Sequence, residues 1–179
     1  MSKKKIALGV LGVFASVVLV VLALGATRPT RYLVTRSLVV DATPEQVAPM
    51  LTDLHAFNTW NPWDEMEPTS TKEYSEPASG VGAWYTWRGD QTGSGRMEII
   101  SISPRRVDYG LHFTAPMEDS ATVHFDLVPE GTTRTQVTWS MEGEQDFMGR
   151  VFSVFVSMDS MIGGDFERGL VNLAARLHG

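Results

Sequence analysis

The chain has 179 residues, of which 43% are hydrophobic, so it is long enough for the core of one domain and too short for two. It has no cysteine, which excludes disulfides, thiolate metal ligands, a cysteine nucleophile and a lipidated cysteine. Setting aside the three lysines of residues 3–5 leaves 12 of the 15 basic side chains against 21 acidic ones. A domain this acidic repels phosphate backbones, so we predict that it binds no nucleic acid.

The N-terminus has the composition of a membrane anchor. Residues 1–5 form a basic leader, and residues 6–26 are uncharged and almost entirely apolar. Their length matches the ~20 residues that cross a bilayer and exceeds the ~7–15 apolar residues of a secretory signal. We predict a single-pass signal-anchor helix in the cytoplasmic membrane, although Ala23–Gly25 also has the small residues of a cleavage site. The lysines before the span place residues 27–179 on the outer, periplasmic or extracellular side.

A strand and a short helical region follow this segment. Residues 27–31 form a very short linker, and residues 31–40 alternate and are rich in β-branched side chains, which predicts a strand. The T-P-E-Q stretch at 43–46 is a helix start with a capping box. We predict a short or kinked helix that ends near Asp53, because Pro49 removes a backbone hydrogen bond within it.

The stretch NTWNPWDEMEP at residues 58–68 places Trp60 and Trp63 on either side of the helix-breaking Asn61-Pro62 pair. Tryptophan usually has its ring covered and its N–H bonded. The segment therefore either folds back as a wall or lid over an apolar interior, or presents its aromatic rings to a partner.

Most of the remaining chain has the alternating pattern of strands. We predict strands at residues 71–76, 82–89, 95–103, 106–113, 121–128 and 135–143. Their connections have the length of hairpins. Strict alternation over consecutive strands predicts an antiparallel sheet with one buried face.

The C-terminus changes to helical spacing. From Asp146, a plausible N-cap, apolar residues recur at helical positions over roughly 30 residues, which predicts one long amphipathic helix. Gly163 and Gly164 interrupt the pattern and predict a kink or a close approach. They either relieve crowding where the helix crosses the sheet or widen a cavity beneath it.

This order of elements resembles the START-like, helix-grip (SRPBCC) superfamily, and within it the polyketide cyclase/dehydrase and lipid-transport group. The resemblance covers roughly residues 31–177 and is carried by the stretches RSLVVDATPEQVAPMLTD, WNPWDEMEP, GVGAWYTWRGDQTGSGRMEI, FTAP, TQVTWSMEGE and FMGRVFSVFVSMDSMIGGDFERGL. It implies an α+β fold over residues 32–178, in which a curved antiparallel sheet wraps around a long C-terminal helix. It also implies a cavity between sheet and helix, with the 58–68 segment near its mouth. On this resemblance Trp60 and Trp63 form the wall or lid of the cavity, and the acidic side chains of the segment face solvent, namely Asp64, Glu65 and Glu67.

The candidate ligand-binding residues are the aromatic, methionine and aliphatic side chains on the inward phase of these elements. They are Trp60, Trp63, Tyr85, Trp87, Met97, Tyr109, Phe113, Phe125, Trp139, Phe155, Met158 and Ile162. Each can equally be ordinary core packing. We predict no cofactor and no metal, because His112 and His124 could pair across neighbouring strands but are more simply solvent-facing.

Acid–base catalysis needs a titratable group inside the apolar site. Only Tyr85 and Tyr109 are on the inward phase, and His55 lies near the expected mouth. The remaining candidates are carboxylates, of which the first two are expected to be exposed: Asp64, Glu98 and Asp159. We therefore assign no catalytic residue.

This shortage favours a membrane-anchored domain that binds a hydrophobic or amphipathic small molecule, such as a lipid or a polyketide-like compound. Two alternatives remain open. One is a cyclase or dehydratase enzyme acting on a ring-forming substrate. The other is a domain with a filled interior that acts as an interaction module of a membrane complex.

Overall fold

The computed structural model describes residues 3–178. Its elements in chain order are α1 (Lys3–Thr27), β1 (Arg31–Val40), α2 (Pro44–Thr52), α3 (Leu54–Asn58), α4 (Pro62–Met66), β2 (Thr71–Tyr74), β3 (Trp84–Arg88), β4 (Ser94–Ser103), β5 (Arg106–Ala115), β6 (Asp119–Glu130), β7 (Arg134–Glu144), α5 (Phe147–Phe152) and α6 (Met158–Leu177). Every predicted strand is present, with bounds that differ by a few residues.

The strands form one antiparallel, curved sheet in the order β1-β7-β6-β5-β4-β3-β2. Pairing of β1 with β7 brings the N-terminal strand beside the last one. Alternate residues of the central strands are buried, as in Val107 and Tyr109 of β5 and Val123 and Phe125 of β6. The predicted α+β fold, a curved antiparallel sheet around a C-terminal helix, is confirmed.

Helix α6 packs across the buried face of the sheet. Trp139 of β7 lies flat on Phe166 of α6, with ring centroids 4.2 Å apart. Gly169 permits this approach, because a Cβ at that position would lie 2.6 Å from the Trp139 ring and 3.0 Å from Cδ of Pro62. The glycine thus brings helix, sheet and the 58–68 segment into one core.

The short helices between β1 and β2 are set by local caps. The backbone N–H of Thr43 donates to Oε1 of Gln46 at 2.9 Å, which confirms the predicted start of α2. Oδ1 of Asn61 accepts from the N–H of Trp63 and caps α4. The Asn61-Pro62 pair therefore ends α3 and also begins a further helical turn, since proline suits the first position of a helix.

The prediction of one continuous C-terminal helix is wrong. The chain leaves the helical conformation after α5, and α6 begins at Met158 with Ser157 as its cap. The Ser157 side chain accepts from the N–H of Ser160, which satisfies a donor of the new first turn. The interruption thus falls at residues 153–157, and both glycines expected to cause it lie inside α6.

Gly163 relieves crowding between α6 and β1. A Cβ there would clash with the guanidinium group of Arg36, which donates to Asp159 and to Glu167, each at 2.7 Å. A Cβ on Gly164 would meet no atom within 4 Å. The first of the two alternatives for this pair is therefore correct for Gly163, and neither glycine faces the cavity.

Within residues 3–178, one helix is long and apolar enough to cross a membrane, with a mean hydropathy of 2.6 over Gly9–Thr27. Its length and composition suit either a membrane anchor or a signal sequence. Its C-terminal end contacts α5, where a Cβ on Gly25 would lie 2.6 Å from Cγ2 of Val151. Nη1 of Arg150 also donates to the carbonyl of Ala26 at 3.4 Å.

Candidate functional site

A cavity of about 320 Å³ lies between the buried face of the sheet, the α3–α4 region and α6. This is at the small end of the ~300–1,000 Å³ of typical ligand pockets. Aromatic and methionine side chains dominate its wall, which is formed by Tyr32, Phe57, Asn61, Trp63, Asp64, Ser70, Tyr85, Trp87, Thr92, Met97, Leu111, Phe113, Ala115, Pro116, Met117, Asp119, Val123, Trp139, Met141, Met158, Ile162 and Phe166.

Most of the predicted binding residues line this cavity. The structure brings to its wall Trp63, Tyr85, Trp87, Met97, Phe113, Trp139, Met158 and Ile162. They come from α4, four strands and the first turns of α6. Alternation within strands put the strand residues on the correct face, since neighbouring side chains of a strand point to opposite faces of the sheet.

Three other predicted residues are core residues behind the wall. Trp60 donates through Nε1 to the carbonyl of Met50 at 3.0 Å, and the Tyr109 hydroxyl donates to the carbonyl of Leu51. Phe125 packs edge-on against Trp60 and close to Trp139. Burial raises the pKa of Tyr109 far above its usual range. Its hydroxyl therefore ties α2 to the sheet and is not a candidate acid.

Phe155 lies outside the cavity, contrary to the prediction. Its side chain is 69% exposed, in the segment between α5 and α6. A continuous helix would have carried Phe155 on the same stripe as Met158 and Ile162. The break at residues 153–157 removes it from that stripe.

Two polar atoms of the wall are buried without a partner among residues 3–178: Oη of Tyr32 and Nε1 of Trp139. Tyr32 lies over Gly143, where a Cβ would be 2.5 Å from that hydroxyl. Burial raises the pKa of Tyr32 to about 12, and the nearby charge of Asp119 adds to the shift. Tyr32 is not among the predicted binding residues, although it shares its strand face with the buried Val34.

Asp64 is part of the wall, so the expectation that it faces solvent is wrong. Its side chain is 22% exposed and its Oδ1 lies 2.9 Å from Nζ of Lys72. Burial raises the pKa of Asp64, and Lys72 opposes that shift. Burial also raises the pKa of Tyr85 far above its usual range, with a further contribution from the charge of Asp64. The cavity therefore contains a titratable carboxylate with a cationic partner.

Glu67 is also buried, at 6% exposure, where the sequence indicated a solvent-facing residue. Its carboxylate accepts from the backbone N–H groups of Asp90, Gln91 and Thr92 and from the Thr92 hydroxyl. The bond from the Thr92 backbone is the main reason why the pKa of Glu67 is lowered. Glu67 thereby fixes the β3–β4 turn against α4, beside the cavity residue Thr92.

The other titratable candidates are bound elsewhere. The His55 ring packs against the Tyr74 ring in a tilted contact with centroids 4.0 Å apart, and Glu98 pairs with Arg96 at 2.8 Å. Asp159 pairs with Arg36, and this ion pair lowers the pKa of Asp159. None of these carboxylates or rings lines the described cavity.

The two histidines of the central strands have separate partners. His124 lies 2.9 Å from Asp108 and 3.1 Å from Glu142, whereas His112 contacts the Ser120 hydroxyl. In the part of the chain that the structure describes, no group of three or more histidine, aspartate or glutamate side chains has an arrangement that could hold a metal ion.

Comparison with known proteins places the chain in a family. The sequence profile described as polyketide cyclase / dehydrase and lipid transport matches residues 31–178. None of the curated proteins compared with the chain matches it.

Solved structures with the same fold come from several bacteria. The Zhui aromatase/cyclase from Streptomyces sp. R1128 has a TM-score of 0.57 at 15% identity, over 83% of this chain and 94% of that one. Protein CV1439 from Chromobacterium violaceum has a TM-score of 0.57 at 18% identity, over 85% and 99%. Hypothetical protein jhp0584 from Helicobacter pylori has a TM-score of 0.59 at 10% identity, over 81% and 87%. At such identities the likeness concerns the fold alone.

The profile match extends from the first residue of β1 to the residue after α6, so it includes every element that forms the cavity. The resemblance stated from the sequence motifs is therefore confirmed, and the chain belongs to the polyketide cyclase/dehydrase and lipid transport family.

Proposed function

We propose that this domain holds a neutral, amphipathic small molecule in its cavity while α1 anchors it to a membrane. The observation that carries the proposal is a pair of buried polar atoms without a partner among residues 3–178, Tyr32 Oη and Trp139 Nε1, on side chains of a wall that is mostly apolar. An unpaired polar group costs about 1–3 kcal/mol when buried. A ligand oxygen that bonds to either atom would remove that cost.

The donor chemistry restricts the ligand. The indole Nε1 of Trp139 can only donate, so the ligand has to present an acceptor such as a carbonyl, ether or hydroxyl oxygen. The Tyr32 hydroxyl can donate or accept. Apolar parts of the ligand would contact the aromatic and methionine wall, at about 25 cal/mol per Å² of apolar area buried. Methionine side chains adapt to varied shapes, which suits a flexible or ring-bearing ligand.

Charge argues against an anionic head group. The described wall carries two carboxylates, Asp64 and Asp119, and no basic side chain. The nearby Lys72 is already paired with Asp64. A carboxylate or phosphate in this cavity would be buried near like charges without a cation, which is strongly unfavourable.

The proposed anchor would keep the domain next to the membrane. Helix α1 has the length and hydropathy of a span, and only Arg28–Thr30 separate it from β1. On this proposal the domain stays within a few residues of the bilayer, outside the cytoplasm, and takes its ligand from the lipid phase. The alternative of an interaction module with a filled interior is not supported, because a cavity lies where that filling was expected.

The test is recovery of a ligand from the gently purified full chain by solvent extraction and mass spectrometry. Ile162→Trp would fill the cavity from α6, and Val171→Trp, on the exposed side of the same helix, is the matched control. We expect a neutral amphiphile from the wild type and from Val171→Trp, and a much smaller amount from Ile162→Trp. Equal recovery from all three proteins would contradict the proposal.

A second candidate is acid–base catalysis on a ring-forming or dehydrating substrate. It is favoured by Asp64, a carboxylate of the cavity wall. Burial raises the pKa of Asp64, and the charge of Asp64 contributes to the raised pKa of the Tyr85 hydroxyl. An enzyme of this class would convert an added polyketide-like substrate, and Asp64→Asn would abolish conversion while ligand recovery persisted. Absence of conversion by the wild type, with ligand retained, would favour the carrier.

A further inference from the structure

The surface formed by residues 147–161 is unusually apolar for the outside of a domain. Helix α5 has no buried residue, and large apolar side chains are exposed along it and along the following segment. They are Phe147, Met148, Phe152, Phe155, Val156 and Met161, of which Phe155 is 69% and Met148 64% exposed. Soluble proteins rarely expose apolar groups so closely together unless the surface contacts a membrane or a partner. We call these six side chains the α5–α6 surface.

This surface begins where α1 ends. Gly25 and Ala26, in the last turn of α1, contact Val151 and Arg150 of α5. The apolar side chains of α1 are themselves exposed, among them Phe14 and Leu19, each at 66%. The last turn of the span therefore packs directly against the helix that carries part of the α5–α6 surface.

The same surface reaches the cavity. Met158 and Ile162, in the first turns of α6, line the cavity, and Met161 between them is 51% exposed. Met117, in the β5–β6 turn, also lines the cavity and is 77% exposed. Apolar side chains thus run from the end of α1, past α5, to residues of the cavity wall.

We propose that the α5–α6 surface lies in the outer leaflet of the membrane, with Phe152 and Phe155 among the acyl chains, so that the cavity opens on lipid. This inference rests on the proposed anchoring by α1. The occupant is lipid because the surface adjoins the last turn of a span, where a domain face meets the bilayer interface. Its phenylalanine and methionine content, with Arg150 at the border, is typical of segments that lie in that interface.

The consequence is a route for the ligand that avoids water. A neutral amphiphile could move from the leaflet past Met117 and Met158 into the cavity while its apolar part stays covered. The exposed position of Phe155, outside the cavity, then has a role in placing the cavity on the membrane.

The test measures the depth of single residues in the bilayer. The chain has no cysteine, so a single introduced cysteine can carry an environment-sensitive nitrobenzoxadiazole label. The full chain, reconstituted in phosphatidylcholine vesicles, would be labelled in turn as Phe155→Cys and Met148→Cys. Val128→Cys, 48% exposed and near the far end of β6, is the matched control, and Leu19→Cys reports on α1 itself.

Quenching by phosphatidylcholine with a spin label on its acyl chain gives the result. We expect labels at 155 and 148 to be quenched several-fold more than the label at 128. The inference would be overturned if the labels at 155 and 148 were quenched no more than the label at 128. The label at 19 separately decides the anchor, so strong quenching at 19 with none at 155 or 148 would reject this surface contact and leave the proposed anchoring intact. A weak signal at 19 would reject the anchor instead, whereas quenching at 155 and 148 would still support the contact.

Discussion

The indole ring of Trp139 lies parallel to the phenyl ring of Phe166, with 8° between the two planes and 4.2 Å between their centroids. This contact joins β7 to α6 and forms one wall of the cavity. The rings of Trp60, Trp63 and Phe125 also pack around Trp139, with centroids 5.6, 5.8 and 4.9 Å from its own. The indole is therefore held by several rings while its N–H has no partner among residues 3–178, so Trp139 both supports the core and carries an unsatisfied donor.

Removal of this ring should strongly weaken the fold. We expect Trp139→Ala to lower the free energy of unfolding by about 3–5 kcal/mol, because the ring is 2% exposed and its loss leaves a cavity in the core. Urea unfolding of the purified chain in detergent measures the change. Trp84→Ala is the control, since Trp84 is only partly buried and contacts Arg96 through its ring face. A loss below about 1 kcal/mol for Trp139→Ala would show that the ring does not carry the core.

Replacement of Trp139 by phenylalanine separates the N–H from the ring. The free energy of unfolding should change by less than about 1.5 kcal/mol, because Trp139→Phe removes a buried donor that has no partner in residues 3–178. Affinity for a neutral fluorescent probe with a carbonyl acceptor should fall about tenfold, equivalent to about 1.4 kcal/mol. Trp60→Phe is the matched variant, and it should instead cost about 1–3 kcal/mol of stability, because it leaves the Met50 carbonyl unpaired. Unchanged probe affinity in Trp139→Phe would remove the indole N–H from the binding role.

Two glycines of α6 should respond oppositely to the same substitution. Gly169→Ala is expected to destabilise by about 1–3 kcal/mol, since its Cβ would be forced against the Trp139 ring and Pro62. Gly164→Ala is expected to stabilise by about 0.5–1 kcal/mol, because a Cβ there meets nothing and alanine favours the helix. Thermal unfolding of both variants checks the pair. Equal effects of the same sign would mean that α6 is not packed against the sheet as described.

Glu67 should make stability depend on acid pH. Its pKa is lowered in the folded state, so the stabilisation it provides is complete above the ordinary value of 4.5 and is lost as the pH falls through the lower, folded pKa. We therefore expect the melting temperature to fall below about pH 4.5, and to fall less steeply in Glu67→Gln. At pH 7 the Glu67→Gln variant should itself be less stable than the wild type, because one amide oxygen replaces two carboxylate acceptors.

The comparison for Glu67 is Glu118→Gln, which removes one carboxylate at an exposed position. Parallel pH curves for Glu67→Gln and the wild type would mean that the bonds to the β3–β4 turn are not formed in solution. Loss of probe binding in Glu67→Gln at neutral pH, with the fold retained, would further indicate that this turn shapes the cavity through Thr92.

Local patterns in the sequence were enough for the strands, for the start of α2 and for much of the wall, but not for the break between α5 and α6. The period of two in residues 106–113 and 135–143 depends only on strand geometry, so it identified the strands and the inward face of Trp139. The T-P-E-Q stretch likewise indicated the start of α2, since a capping box is formed within one turn of helix. The family motifs then predicted the order in which these elements pack.

Only the tertiary structure decided which of the inward or polar groups are free. The Tyr109 hydroxyl is bound by Leu51, and Glu67 by residues 90–92, partners far away in the chain that no local pattern reports. Spacing likewise did not report that Tyr32 Oη and Trp139 Nε1 have no partner among residues 3–178, because their surroundings come from other strands and from α6. The spacing of residues within an element indicates which face a side chain occupies. Its hydrogen bonding and burial depend on which other elements pack against that face.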